Sequence, residues 1–248
     1  MATSQHDLAR ALVDGADVLL VDFDGPLARL FPGTRWLDVS ADLRRYAVER
    51  AGDHLARVLG DEPDHVQVLR LIGRHAPEVA GDAADLVTRL EVDAARTAPL
   101  QPGALEFLDA ALARRASVVV VTNNDPAVVP GVLDRHVPGL TGRLDGVHGR
   151  TAGRVDDLKP APDLLLRALR GVDTRRAGPA QEGPAVDRPV VSVLLGDSVT
   201  DVMAGLAAGV PVVGVAQDAQ RRRDLLAAGA LAVVADLGEL AAASGGPA

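Results

Sequence analysis

Val18-Leu19-Leu20-Val21-Asp22-Phe23-Asp24-Gly25-Pro26-Leu27 is the stretch that decides how this chain is read. Four branched apolar residues in a row suit a strand covered on both faces, as in a parallel sheet. Gly25 and Pro26 then break the strand. In open parallel sheets ligands bind beyond the carboxyl ends of the strands. Asp22 and Asp24, two residues apart at such an end, can both face that crevice. A solvated turn would use the same residue types, so this segment alone leaves both readings open.

Moving outward, further apolar runs at residues 118–121, 190–195, 212–215 and 231–234 read as sister strands. Helical spacing connects most of them. Leu105, Leu108 and Leu112 recur on one face of residues 103–115, with Pro102 near the start. Leu165, Leu166 and Leu169 do so in 162–170, and a third helix fits 198–208. Alternating strands and helices imply an α/β fold: a Rossmann-like parallel sheet core with helices on both faces.

The interval between the first two strands is too long for one crossover. Ser40 is expected to cap a helix carrying Leu43, Ala47, Ala51, Leu55 and Leu59 on one face. Asp64 is expected to cap a second with Val66, Leu69 and Ile72, and a third covers 83–95 with Leu86, Val87 and Leu90. The reading is a helical cap domain inserted after the first strand. Its boundaries place residues 1–30 in the core, 31–99 in the cap and 100–248 in the remainder of the core. Residues 174–188, rich in Gly, Pro, Arg and Glu, read as a mobile surface loop, and residues 244–248 as a frayed end.

Composition narrows the function classes. The 248 residues include 48% hydrophobic and only 2% aromatic side chains, so Leu, Val and Ala must fill the core. Cysteine is absent, which excludes disulfides, thiolate zinc sites and a Cys nucleophile. A net charge of −8 argues against a nucleic-acid partner. No apolar run approaches the ~20 residues that span a bilayer, so no membrane partner is expected. The first residues lack the pattern of a secretory signal, and a cytoplasmic location is the expectation. Oligomeric state is not legible.

Three more polar clusters follow apolar runs or precede a helix. Thr122-Asn123-Asn124-Asp125 ends the second core strand, where a hydroxyl and free backbone N–H groups can hold phosphate oxygens. Lys159, before a Pro and a helix, can neutralise phosphate or a carboxylate. Asp197 ends another strand in Gly196-Asp197-Ser198-Val199-Thr200-Asp201, and Asp201 lies one helical turn further. Helix capping would also use Asn123, Asn124, Asp197 or Ser198. Three carboxylates without His or Cys suit a hard cation, and Mg2+ is the natural choice beside a phosphate.

Together the four segments Asp22-Phe23-Asp24-Gly25, Val121-Thr122-Asn123, Lys159-Pro160 and Gly196–Asp201 resemble the motifs of the haloacid dehalogenase-like (HAD) hydrolase superfamily. The insert resembles its helical type-1 cap, as in phosphoglycolate phosphatase-like members. The resemblance implies a Mg2+-dependent phosphatase acting on a small phosphorylated metabolite. Asp22 would form an aspartyl-phosphate, and Asp24 would protonate the leaving group and then activate water. Thr122, with Asn123, would bind the phosphoryl group. Lys159 would steady that group and Asp22. Asp22, the backbone carbonyl of Asp24, and Asp197 would hold the metal, with Asp201 in support. Pro26 stands where this superfamily often has Thr, which predicts a changed backbone near the cap entrance without loss of activity.

Rival readings are a phosphomutase of the same fold or a non-catalytic phosphate-binding or interaction protein; the latter would be expected to have lost Asp22 or Asp24. Arg29, Arg35, Arg44, Arg45 and Arg74 are candidates to meet a second anionic group. Trp36, the single Trp, is read as packing the cap against the core or lining the entrance, with packing favoured.

Overall fold

The apolar runs do pair. In the computed structural model, which describes residues 4–114, 116–176 and 190–241, six parallel strands form one sheet in the order β3-β2-β1-β4-β5-β6. They are β1 (Val18–Val21), β2 (Ser117–Val121), β3 (Gly146–His148), β4 (Ser192–Gly196), β5 (Val212–Val215) and β6 (Ala232–Val234). β1 is central, pairing with β2 on one side and β4 on the other. The chain therefore changes direction of travel across the sheet at β1, and that is where a crevice opens at the strands' carboxyl ends.

Successive strand residues point to opposite faces. Leu19, Val21, Val118, Val120, Val193 and Leu195 join one apolar cluster with helices α1 (Gln5–Asp14), α6 (Ala104–Ala113), α7 (Val128–His136) and α11 (Gly238–Ala241). Val18, Leu20, Val119, Val121 and Leu194 join the other with α8 (Asp163–Arg176), α9 (Val199–Ala208) and α10 (Ala219–Ala228). Fully burying each such side chain contributes roughly 1.5–3 kcal/mol relative to leaving it exposed.

Between β1 and β2 lie α2 (Arg35–Ala51), α3 (His54–Leu59), α4 (His65–His75) and α5 (Pro77–Ala95). They enclose an apolar cluster of their own, including Leu43, Ala47, Leu55, Leu59, Leu69, Ile72 and Val87. Asp64 caps α4 as expected, accepting from the Val66 N–H at 2.8 Å. Ser40 does not cap a helix. It lies within α2, buried, and its hydroxyl donates to the Pro63 carbonyl. Nor is the first insert helix continuous: Gly52 at φ 98° ends α2, and Leu55 and Leu59 belong to α3. A left-handed glycine turns the chain while keeping the same apolar face inward.

Other differences are local. β3 carries no continuous apolar run and is half-buried. Thr174–Arg176, expected in a loop, end α8, while residues 177–188 and 244–248 lie outside the described residues. Among the described residues, no helix is long and apolar enough to cross a membrane.

Leu69 is 1% exposed at the centre of the insert cluster. Leu69→Ala should lower unfolding stability by about 2–5 kcal/mol, the usual cost of a buried Leu truncation. Urea denaturation followed by circular dichroism measures this, and a loss below about 1 kcal/mol would mean the cluster collapses around the void.

Candidate active site

Each strand of the central trio delivers one acidic or polar group to the same edge. Asp22 follows β1, Thr122 and Asn123 follow β2, and Asp197 follows β4. Asp201 comes from the first turn of α9, where it forms a capping box with Ser198. Its Oδ2 accepts from the Ser198 N–H (3.0 Å) and the Ser198 hydroxyl (2.6 Å). Oxygens of Asp22, Asp197 and Asp201 all lie within 4.8 Å of one another.

Lys159 Nζ sits among them, 2.7 Å from Asp22 Oδ1 and 2.6 Å from Asp201 Oδ1, and donates to the Val121 carbonyl at 3.1 Å. Its side chain is 2% exposed. Burial opposes its charge, but Asp201 and Asp22 outweigh that and hold the ammonium ion protonated well above its ordinary range. Asn123 anchors Lys159 from behind. Its side-chain amide donates to the Lys159 carbonyl (3.0 Å) and accepts from the Lys159 N–H (2.9 Å).

Two glycines make the convergence possible. A Cβ on Gly25, at φ 127°, would fall 2.3 Å from Asp197 Cγ, and one on Gly196 would fall 2.5 Å from Asp201 Cβ. The turn after Asp24 closes in spite of Pro26, because the Gly25 N–H donates to the Ala28 carbonyl at 2.8 Å.

Electrostatically the cluster calls for a cation. Burial pushes the Asp22 pKa well up, Asp201 and Asp197 push the same way, and Lys159 opposes them. Asp197 is pushed up to about 7 by burial and by Asp201, against the pull of Arg221, whose Nη1 donates to Asp197 Oδ2 at 2.8 Å. Lys159 and Arg221 supply two positive charges against three carboxylates. A hard divalent cation fits an all-oxygen donor set of this size. The two short contacts of Asp22, with Lys159 Nζ and the Phe23 N–H (2.7 Å), fall on Oδ1, which leaves Oδ2 uncommitted among the described residues.

Asp24 is held by the Leu30 N–H, which donates to its Oδ1 at 2.8 Å. Burial raises its pKa, against that hydrogen bond and His65. Asp22, Asp24, His65, Asn123, Lys159 and Asp197 share a cavity of about 140 Å³. Thr122, the expected phosphate ligand, directly follows β2. It is fully buried, does not line this cavity, and its hydroxyl donates to Asn124 Oδ1 (2.9 Å) while accepting the Asn124 N–H (3.1 Å).

Trp36 is 39% exposed and stands at the entrance, the second of its two readings. With Arg29 and Arg221 it borders an adjoining cavity of about 290 Å³ that reaches Asp24 and Asp197. Of the other arginines, Arg35 is exposed, Arg44 donates to the Glu62 carbonyl, Arg45 pairs with Asp42 and Arg74 with Asp156.

Sequence reasoning missed a buried ion pair beside the site. Glu91 of α5, 0% exposed, accepts both Arg150 Nη1 (2.9 Å) and Nη2 (2.7 Å). It also accepts from Asn124 Nδ2 (3.0 Å) and the Asp125 N–H (3.0 Å). Burial works against its charge, yet His65 and Arg150 lower its pKa to about 2. The carboxylate thus ties the insert to the loop that carries Asn123. No local pattern marks it, because its partners are 33 to 59 residues away.

The parallel α/β fold and this carboxylate-lysine edge make a protein equipped for phosphoryl chemistry. A haloacid dehalogenase-like hydrolase family model matches residues 2–209, and the chain belongs to that family. It is 31% identical over 240 residues to the phosphoglycolate phosphatase of Rhodospirillum rubrum, covering 90% of this chain and 88% of that one. Its fold is similar to CbbY from Rhodobacter sphaeroides solved with phosphate (TM-score 0.61, 20% identity, 91% of this chain and 96% of that chain). It is equally similar to a CbbY mutant solved with xylulose-(1,5)bisphosphate (TM-score 0.61, 19% identity, the same shares of each chain). The chain is thus a hydrolase of the haloacid dehalogenase-like family.

Two outcomes follow from the geometry. Because Asp197 carries a proton below about pH 7, divalent-cation affinity should fall roughly tenfold per pH unit below 7 for the one proton displaced. Calorimetric titration at pH 6 and pH 8 reads this, and equal affinities would mean that Asp197 is already ionised at pH 6. Glu91→Gln should destabilise by about 3–5 kcal/mol, since it leaves Arg150 buried without its counter-charge. In the native sequence the Glu91 contribution, on the order of 3 kcal/mol, is present above its ordinary pKa near 4.5 and lost as pH falls towards about 2. Thermal melts of both proteins from pH 7 to pH 3 should therefore converge.

Proposed function

We propose that this chain is a Mg2+-dependent phosphatase for a small phosphorylated metabolite, working through a phosphoryl group carried on Asp22. The observation that carries this reading is the meeting of Asp22, Asp197 and Asp201 around one point, with Lys159 Nζ touching two of them. Asp22 Oδ2, Asp197 and the Asp24 carbonyl would hold the metal. Asp201, with both oxygens engaged by Ser198 and Lys159, would set the lysine and the local charge. When bound, the cation neutralises phosphate oxygens and stabilises charge that develops on them.

In the first half-reaction an Asp22 oxygen forms a bond to phosphorus while the ester P–O bond breaks. The leaving oxygen takes a proton from Asp24, whose pKa burial raises. In the second, Asp24 accepts a proton from water as that water attacks phosphorus, releasing phosphate and restoring Asp22. Positioned acid–base help of this kind is worth roughly 10²–10⁴ in rate. Lys159 balances charge on Asp22 and the transferred group throughout. Asn123 fixes Lys159, and its own backbone N–H, unbonded among the described residues, is a donor for a phosphate oxygen. Thr122 would support the loop through Asn124 and reach the phosphoryl group only if its hydroxyl turns.

Residues 31–99 would act as the cap, since their helices hold a separate apolar cluster and supply His65 and Val66 to the cavity wall. The modest cavities suit a small substrate. The relative from Rhodospirillum rubrum, a phosphoglycolate phosphatase, supports a small phosphorylated acid as the first compound to try.

Hydrolysis of p-nitrophenyl phosphate with Mg2+ tests the mechanism. Asp22→Asn should lower kcat at least ~10³-fold while its melting temperature stays near or above that of the native protein, because a buried carboxylate is removed. Equal rates would eliminate Asp22 as nucleophile.

A further inference from the structure

Lys159 is the only lysine in the chain. Neither a strand end nor a helix carries it. Asp22 and Asp197 directly follow strands and Asp201 lies in α9, whereas Lys159 sits in a loop between a short turn, Val155–Asp157, and α8. Its ammonium group has three donors, and all three find acceptors in Asp22, Asp201 and the Val121 carbonyl. Keeping that geometry at the end of a long flexible stem requires the lysine backbone to stay in place.

Two side chains hold that backbone. Asn123 does so from the core, through both ends of its amide. Arg70, on α4, does so from the insert. Its Nη2 donates to the Leu158 carbonyl at 2.7 Å and to the Lys159 carbonyl at 3.0 Å, while Nη1 donates to Gln67 Oε1 at 3.3 Å. Arg70 is half-buried and forms no ion pair among the described residues, so its shortest bonds are spent on this loop. Hydrogen bonds from an ionised donor are roughly twice as strong as neutral ones. Arg70 does not line the cavity that Asp22 and Lys159 share, so any effect it has on the chemistry passes through the lysine.

Resting on the phosphatase reading above, we propose that Arg70 is a positioning residue: by gripping the Leu158–Lys159 backbone it keeps Lys159 Nζ between Asp22 and Asp201 while the phosphoryl group is transferred. A misplacement of about 1 Å in such a group can lower the rate ~10²-fold. Because Lys159 balances charge during transfer, the loss falls on kcat and not on KM.

The lone lysine supplies a second readout. Isotopic labelling of lysine nitrogen gives one backbone amide signal, and its exchange with solvent reports how firmly this loop is anchored. In Arg70→Met, which keeps the apolar stem, kcat for p-nitrophenyl phosphate with Mg2+ should fall at least ~10-fold, with KM within about threefold of the native value. The Lys159 amide should exchange roughly tenfold faster or more. Both of Arg70's bonds to the loop issue from one nitrogen, so Arg70→Lys, which retains a charged donor, should recover kcat to within about fivefold of the native value. Because it adds a lysine, that variant is read by kinetics alone. Arg70→Gln, with an uncharged donor, should be intermediate in both readouts and replaces the Met variant if that does not fold. A link that only fastens the insert to the core would lower the melting temperature but leave kcat or Lys159 exchange at its native value, and either result would overturn the proposal. So would an Arg70→Lys variant no faster than the uncharged ones. A wild-type protein that does not hydrolyse p-nitrophenyl phosphate would bring down the phosphatase reading, and the Lys159 amide would then decide the positioning role by itself.

Discussion

The contact of Lys159 Nζ with Asp22 and Asp201 is the interaction on which the rest of the site depends. Buried like charges at this spacing repel strongly in a medium less polar than water. A buried cation makes the arrangement tolerable but does not make it a source of stability, because each charge has lost its hydration. The surrounding structure accordingly spends its hydrogen bonds on holding the group together. Asn123 clamps the lysine backbone, Ser198 clamps Asp201, and Gly25 and Gly196 leave room for carboxylates to approach. This is the pattern of an active site whose geometry is maintained at some energetic cost by the fold around it.

A second buried charge pair joins the two halves of the cavity. Glu91 on α5 and Arg150 after β3 connect the insert to the loop following β2. Arg70 of α4 adds donors to the Leu158 and Lys159 carbonyls, at 2.7 and 3.0 Å. The segment bearing Lys159 is thus gripped from the core side by Asn123 and from the insert side by Arg70. A shift of the insert would be felt at the lysine through the Leu158–Lys159 backbone.

What could be read in advance follows from physics that is local in sequence. β1 and β5 coincide with their apolar runs, and β2, β4 and β6 differ by a residue or two at their ends, because strands covered on both faces need continuous Val and Leu. The Asp22, Asn123 and Asp197 positions were legible because strand ends in such a sheet share one edge, and Lys159 because it precedes a Pro and a helix. β3 escaped notice because Gly146-Val147-His148 is short and half-buried. The break between α2 and α3 was hidden because Leu55 and Leu59 keep helical spacing across Gly52. Glu91, Arg150 and His65 carried no signal at all, since their significance arises only from partners far along the chain. The Thr122 hydroxyl was assigned from its position at a strand end, and the nearby Asn124 competes for it.

The placement of β1 at the middle of the sheet also has a consequence for synthesis. Val18–Val21 pairs on one flank with Ser117–Val121 and on the other with Ser192–Gly196. At roughly 5–20 residues per second, the ribosome needs on the order of ten seconds or more after releasing β1 to deliver β4. Throughout that interval one flank of the central strand is a bare apolar edge, the kind of template that recruits other chains. The helices between β1 and β2, with their own apolar cluster, can assemble during the wait. The central strand must remain unclaimed until the last of its neighbours emerges, which makes this stage of nascent-chain folding the most exposed to aggregation and the one where a chaperone has most to shield.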